Sequence, residues 1–287
     1  MKKLKLLHRH ILALENKEDV NLTDMLWQLI CYSPKMSPRL QQQQLLDEAQ
    51  KFTLPVDDPH FAKLVLNFNG FIWGNGSKKV LITHGWGSKA IDFDEVIAGL
   101  KAIDDIQIIV FDAPGNGSSE GELSNLILFA KAAEAIISRY GAPDVMIGHS
   151  LGAMANVIAI NETNIKPALQ ISIAPLIKLK ENFKATMNAA EVPVSAQEKF
   201  FESFRELFEL DASYFDINNK HITGALKHWL AFDKEDKVSP YDYLQEFLTF
   251  NPDIVTHEYF GLGHERIIKD AGVVADIVEL VTGIKNR

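Results

Sequence analysis

Ser150 stands between two glycines in Gly148-His149-Ser150-Leu151-Gly152, with the apolar run Val145-Met146-Ile147 before it and small and apolar residues after it. A serine hydroxyl attacks a carbonyl only when a base takes its proton. On a sharp strand-to-helix elbow the backbone is strained and the hydroxyl is pushed into a cleft, while flanking glycines let neighbouring chain pass close by. Such a serine needs a histidine as base and a carboxylate to hold it; where the elbow joins a strand to a helix in an α/β sheet, the chain order is serine, acid, histidine. The five-residue pattern also occurs by chance in ordinary turns, so its partners must be found elsewhere in the chain.

Nine histidines compete. His8 and His10 fall on an N-terminal helix and read as solvated. His60 precedes the first apolar strands, and His228 lies within a strand. His221 and His257 have no suitable loop around them. His149 is the variable residue of the elbow itself, and His84 comes before the serine. His264 follows the last strand, in Gly261-Leu262-Gly263-His264-Glu265-Arg266, on a loop with two glycines. It is the expected base. The acid should end the preceding strand, in Phe232-Asp233-Lys234-Glu235-Asp236-Lys237-Val238-Ser239-Pro240. Glu235 reads as outward-facing among charged neighbours. Asp236 is the expected acid because Val238 and Pro240 would anchor its loop; Asp233 is the alternative. The backbone N–H of Leu151, at a helix start where the dipole favours negative charge, and that of Trp86 are the expected oxyanion donors. His84 and the Trp86 side chain are expected to line the substrate pocket.

These residues need elements to hold them. Continuous apolar runs at Lys79–Thr83, Ile106–Phe111, Val145–Ile147, Ala168–Ile173, Lys227–Phe232 and Ile254–Tyr259 read as buried parallel strands. Helical periodicity spans Asp92–Ala102, Leu126–Tyr140, Gly152–Asn161 and Ala271–Val281 between them. The alternation predicts an α/β fold with both faces of the sheet covered, and chemistry at the carboxyl ends of the strands. Leu64-Val65-Leu66 and Gly70-Phe71-Ile72-Trp73 read as two short strands, followed by a hairpin-type turn at Asn75-Gly76. Upstream, Leu22–Cys31 reads as a helix stopped by Pro34. Ser37-Pro38 reads as the opening of a second helix through Ala49, and Pro55 to Pro59 as a break.

The bulk properties narrow the field. The chain has 287 residues, 47% of them hydrophobic and 23% charged, and a formal net charge of −9. With a pI of about 5.5, a nucleic-acid partner is not expected, because phosphate binding needs a basic face. Cys31 is the single cysteine and reads as a buried thiol, so no disulfide can form within the chain. The N-terminus begins with a basic stretch, but Lys5, His8, Arg9 and His10 interrupt its apolar run and no cleavage site follows. A cytoplasmic location without stable membrane insertion is expected. Gly115-Asn116-Gly117-Ser118-Ser119-Glu120-Gly121 looks like a dinucleotide loop, but its third glycine is one residue late and the expected acidic residue is missing.

The chain resembles the α/β-hydrolase superfamily, chiefly bacterial hydrolases with HGW and GHSLG motifs. The resemblance runs from about Leu64 to Ile284. It rests on His84-Gly85-Trp86-Gly87, Asp112-Ala113-Pro114-Gly115-Asn116-Gly117-Ser118-Ser119, Gly148-His149-Ser150-Leu151-Gly152, Asp236-Lys237-Val238 and Gly263-His264, in the family's order. It implies a mostly parallel eight-stranded sheet flanked by helices, esterase-like chemistry and a lid after the sixth strand. An N-terminal helical extension over residues 1–58 departs from the pattern, and residues 59–287 would form the hydrolase domain.

The lid is expected at about residues 178–223. Ser195-Ala196-Gln197-Glu198 reads as a capping box, followed by the apolar stripe Phe200, Phe201, Phe204, Leu207 and Phe208. Phe204 and Phe208 are candidates for binding an apolar acyl or aryl group. The expected activity is hydrolysis of a carboxylic ester or thioester of a small molecule, needing neither metal nor organic cofactor. A carbon–carbon bond hydrolase with the same triad, or a non-catalytic ligand-binding protein on this fold, are the alternatives.

Overall fold

The computed structural model describes residues 2–14, 21–217 and 227–284. Its centre is one eight-stranded sheet: β1 (Gln50–Asp58), β2 (Leu64–Trp73), β3 (Lys78–Thr83), β4 (Ile106–Phe111), β5 (Val145–His149), β6 (Leu169–Ile173), β7 (Lys227–Asp233) and β8 (Val255–Tyr259). Their order across the sheet is β1-β2-β4-β3-β5-β6-β7-β8. β2 runs antiparallel to both β1 and β4, and the other neighbours are parallel.

The helices lie before, between and after the strands. Ahead of the sheet are α1 (Lys2–Leu12), α2 (Leu22–Cys31) and α3 (Leu40–Asp47). Then come α4 (Asp94–Leu100), α5 (Leu126–Tyr140) and α6 (Leu151–Thr163). Beyond β6 are α7 (Leu179–Ala189) and α8 (Val194–Phe208), and the chain continues with α9 (Tyr241–Phe250), α10 (Gly263–Arg266) and α11 (Ala271–Thr282). No helix among the described residues is long and apolar enough to cross a membrane.

Side chains alternate across a strand, so one buried strand feeds two cores. Val80 and Ile82 of β3 join Ile108 and Val110 of β4 in a cluster with residues of α4 and α11. Leu81, Ile109 and Met146 join the opposite cluster, which contains residues of α2, α5, α6 and α8. After β3 the chain crosses to β4 on one side and then returns to β5 on the other. The reversal leaves the carboxyl ends of β3 and β5 adjacent, with Thr83 paired to Gly148. Such a crevice is where open α/β sheets bind ligands.

Several local expectations are corrected. Residues 64–73 form one strand, because Asn67 and Asn69 alternate with the buried Leu66 and Phe68 and occupy the other face. Asn75-Gly76 is not a hairpin turn: β4 sits between β2 and β3, and Gly76 instead donates to the Ile106 carbonyl. The break expected from Pro55 to Pro59 is absent: Pro55 lies inside β1, which runs to Asp58. The proline is tolerated there because β1 is the outermost strand and pairs only with β2. The helix expected from Ser37-Pro38 begins only at Leu40, where the Gln42 side chain accepts the Arg39 N–H. Ser195 does not cap a helix, since α8 starts after Pro193; Gln197 turns back to Asn188 and the Val192 carbonyl. The expected lid interval holds α7 and α8; its residues 218–223, and with them His221, lie outside the described residues.

Candidate active site

Ser150 sits between β5 and α6 with φ +52° and ψ −120°, a strained backbone conformation for a residue with a side chain. Its neighbours explain the glycines. A Cβ on Gly148 would lie 2.5 Å from the Ala153 Cα, and one on Gly152 would lie 2.3 Å from the Thr83 and His84 carbonyl oxygens. The turn is therefore packed against both its own helix and the end of β3. Gly85 closes in from β3: a Cβ there would stand 3.1 Å from the Ser150 Cβ.

The three sequence-predicted side chains meet here. His264 Nδ1–H donates to Asp236 Oδ2 at 2.7 Å, and the Ser150 hydroxyl donates to His264 Nε2 at 2.8 Å. A carboxylate can only accept, so Asp236 sets the tautomer and leaves Nε2 with a free lone pair facing the serine. The second oxygen of Asp236 accepts the Val238 and Ser239 N–H groups at 2.7 and 3.0 Å. These bonds fix the direction of a buried carboxylate.

Asp233, the alternative acid, has a different partner. Its Oδ2 accepts the Leu262 and Gly263 N–H groups at 2.7 and 2.8 Å, and its Oδ1 accepts that of Glu235 at 2.8 Å. The three backbone donors hold its carboxyl below the usual carboxylate range, against the opposing effect of burial. Asp233 thus ties the His264 loop to the end of β7. His149 holds the same loop from the other side, its Nε2–H donating to the His264 carbonyl at 2.8 Å. Burial, and then the neighbouring His264, push the His149 pKa down to about 3. The ring is therefore neutral and a single-proton donor. The sequence excludes His149 as the base and leaves Asp233 as the alternative acid, a solvated carboxylate or a loop cap; it does not show that both residues hold the His264 loop.

One cavity of about 780 Å³ opens on this centre and is lined by Ser150, His264 and Trp86 and also by Phe204 and Phe208. The Trp86 ring stacks on Phe129 with centroids 6.3 Å apart. His84 does not line the cavity. It is fully buried, its Nδ1–H donating to the Gly85 carbonyl at 2.7 Å and its Nε2 accepting the Ala113 N–H at 3.0 Å. The expectation failed because the ring at the end of β3 turns inward to brace the loop after β4. That glycine-rich loop is filled by its own acid: Asp112 accepts the Ala90 N–H and both the N–H and hydroxyl of Ser118. Among the described residues no group of three His, Cys, Asp or Glu side chains is arranged to hold a metal ion.

Residues 80–277 match the sequence model of the alpha/beta hydrolase family. No curated protein sequence matches the chain. Solved structures do. An esterase of Pyrococcus furiosus is 18% identical with a TM-score of 0.60, the match covering 88% of this chain and 99% of the esterase. A thermophilic esterase of Thermogutta terrifontis is 16% identical with a TM-score of 0.57, over 79% of this chain and 98% of its own. An esterase of a Rhodococcus species is 14% identical with a TM-score of 0.59, over 83% of this chain and 100% of its own. At these identities the likeness is one of fold.

Proposed function

Because the chain belongs to the alpha/beta hydrolase family, we propose that it is a serine hydrolase cleaving the carboxylic ester or thioester of a small molecule through an acyl-enzyme. The observation that carries this reading is the linear relay from Ser150 Oγ to His264 Nε2 at 2.8 Å and from His264 Nδ1 to Asp236 Oδ2 at 2.7 Å. Ser150 attacks the carbonyl while His264 takes its proton. Asp236 keeps the ring oriented and stabilises its charged form. His264 then protonates the leaving alcohol or thiol. Water, deprotonated by the same ring, releases the acid and restores the serine.

The negative oxygen that forms on the way needs donors already in place. The N–H groups of Leu151 and Trp86 take that role in this reading. Leu151 is the first residue of α6, so its N–H has no acceptor within the helix. Trp86 follows Gly85, whose backbone lies against Ser150. The apolar acyl or aryl part of the substrate takes the side of the cavity bordered by Phe204 and Phe208. That three solved esterases share this fold agrees with the reading.

The test is hydrolysis of p-nitrophenyl esters of increasing acyl length by the full chain, with Ser150→Ala in parallel. Turnover that disappears in the variant is the expected result. Absence of both turnover and fluorophosphonate labelling at Ser150 overturns the proposal.

A further inference from the structure

The N-terminal helices could be no more than packing against the body. Their contacts say otherwise. Trp27 of α2 is at the centre of an aromatic group formed with the lid helix α8. Its ring lies 4.7 Å from that of Phe200, 5.9 Å from Phe204 at an interplanar angle of 16°, and 6.1 Å from Phe208. Its Nε1–H donates to Ser203 Oγ, also on α8, at 3.1 Å. A second tie joins α1 to the end of α7, where His8 Nε2–H donates to the Ala189 carbonyl at 3.0 Å.

Trp27 also borders empty space. It lines the same cavity as Ser150 and His264, together with Phe204 and Phe208. A residue that only glued two helices would be enclosed on all sides. This ring instead presents a rigid apolar wall to the chamber, with its one polar atom already bonded. Leu29 and Ile30 of α2 and Phe183 of α7 extend the apolar lining beside the ring, and the polar groups of Lys5, His8, Asn182 and Thr186 border other parts of the chamber. An apolar occupant is what such a wall accepts.

We propose that Trp27 is a specificity-determining residue: α2 and α8 together form the acyl chamber, and the indole sets how long or bulky an apolar acyl group the Ser150 centre accepts. This rests on the serine-hydrolase reading above. The N-terminal segment is then part of the substrate site, a second wall facing the lid.

The test uses alkyl fluorophosphonates with ethyl and dodecyl chains, reacted with the full-length protein and followed by intact mass. For each protein the ratio of the two labelling rates is compared. Trp27→Ala removes the wall and is expected to move the ratio at least tenfold toward the longer chain. Trp27→Phe, a milder change that retains a ring, is expected to move it part of the way and keeps the test open if the alanine variant does not fold. Ratios within twofold of the parent in every folded variant overturn the proposal while leaving the hydrolase reading intact. No labelling of Ser150 in the parent overturns the hydrolase reading, and the acyl chamber with it.

Discussion

The carboxylate of Asp233 accepts the backbone N–H of Gly263 at 2.8 Å, immediately beside the residue whose ring is held by Asp236. Two acids, one at the end of β7 and one in the turn after it, thus divide the work on one loop. Asp236 orients the imidazole and Asp233 holds the backbone that carries it. Asp233→Ala releases the Leu262 and Gly263 N–H groups and lets His264 drift from Ser150. Hydrogen bonds to a charged group contribute about 1.5–3 kcal/mol each, and small misplacements cost about 100-fold in rate. The expected result is a fall in kcat of about 10–100-fold with KM little changed. Asp236→Asn is expected to lose more, about 10⁴-fold, because it favours the wrong tautomer. Steady-state kinetics of both variants decide it; equal losses would remove the distinction.

Ser150 is held at φ +52°, where glycine is at ease and a Cβ is not. Such strain costs about 1–3 kcal/mol. Both Ser150→Gly and Ser150→Ala should abolish turnover. Their stabilities should follow an unusual order, with the glycine variant more stable than the alanine variant by about 1 kcal/mol in urea unfolding. The ordinary order, alanine above glycine, would show that the elbow relaxes once the hydroxyl is gone.

Gly152 offers the opposite case, since its constraint is space. A methyl group there meets backbone carbonyls of Thr83 and His84 at 2.3 Å, and backbone cannot step aside as a side chain would. Gly152→Ala should destabilise the protein by about 1–3 kcal/mol, as overpacking does, and separate Ser150 from the loop after β3. A variant with unchanged midpoint and rate would contradict the close packing of the turn.

Two histidines, the buried His149 and the half-buried His228, make stability pH-dependent. His149 is pushed down to about 3 and His228 to about 4, each chiefly by burial. His228 is paired with Ser172 Oγ at 2.8 Å. In the unfolded chain both titrate near ~6.5. Below that value the unfolded state binds protons the native state refuses. Their contribution is therefore complete above about pH 6.5 and is lost as the pH falls toward 4 and 3, by about 1.4 kcal/mol per pH unit for each histidine. Urea unfolding at pH 7.5 and 5.5 measures the slope. His228→Gln, which still offers Ser172 a partner, should shrink the stability difference between these two pH values by about 1.4 kcal/mol, since the unfolded histidine takes up about half a proton on average across them; an unchanged difference would count against the assignment.

Much of this was legible in the chain itself, for a physical reason. The elbow at Ser150 depends on nearest neighbours: an apolar strand, two glycines forced by close approach, and a helix of small residues. The buried strands announce themselves as continuous apolar runs because both of their faces need covering. The order Ser150, Asp236, His264, after β5, β7 and β8, is likewise a linear property.

Only the tertiary structure decided the rest. Asp233 and Asp236 lie three residues apart with similar flanks, and what separates them is whether a carboxylate meets the His264 ring or the backbone of Leu262 and Gly263. The place of His84 at a strand end suggests a pocket residue, but its imidazole is taken by the loop after β4. Pro55 looked like a break because local propensity cannot show that β1 is the outermost strand, where a missing N–H goes unused. Nothing in the helical pattern of Leu22–Cys31 marks Trp27; its place beside the Ser150 cavity depends on α8, whose Ser203 is 176 residues away in the chain. Local chemistry can be read from neighbours in sequence, but which side chains share a space is set by contacts that close long loops, and those exist only once the chain has folded.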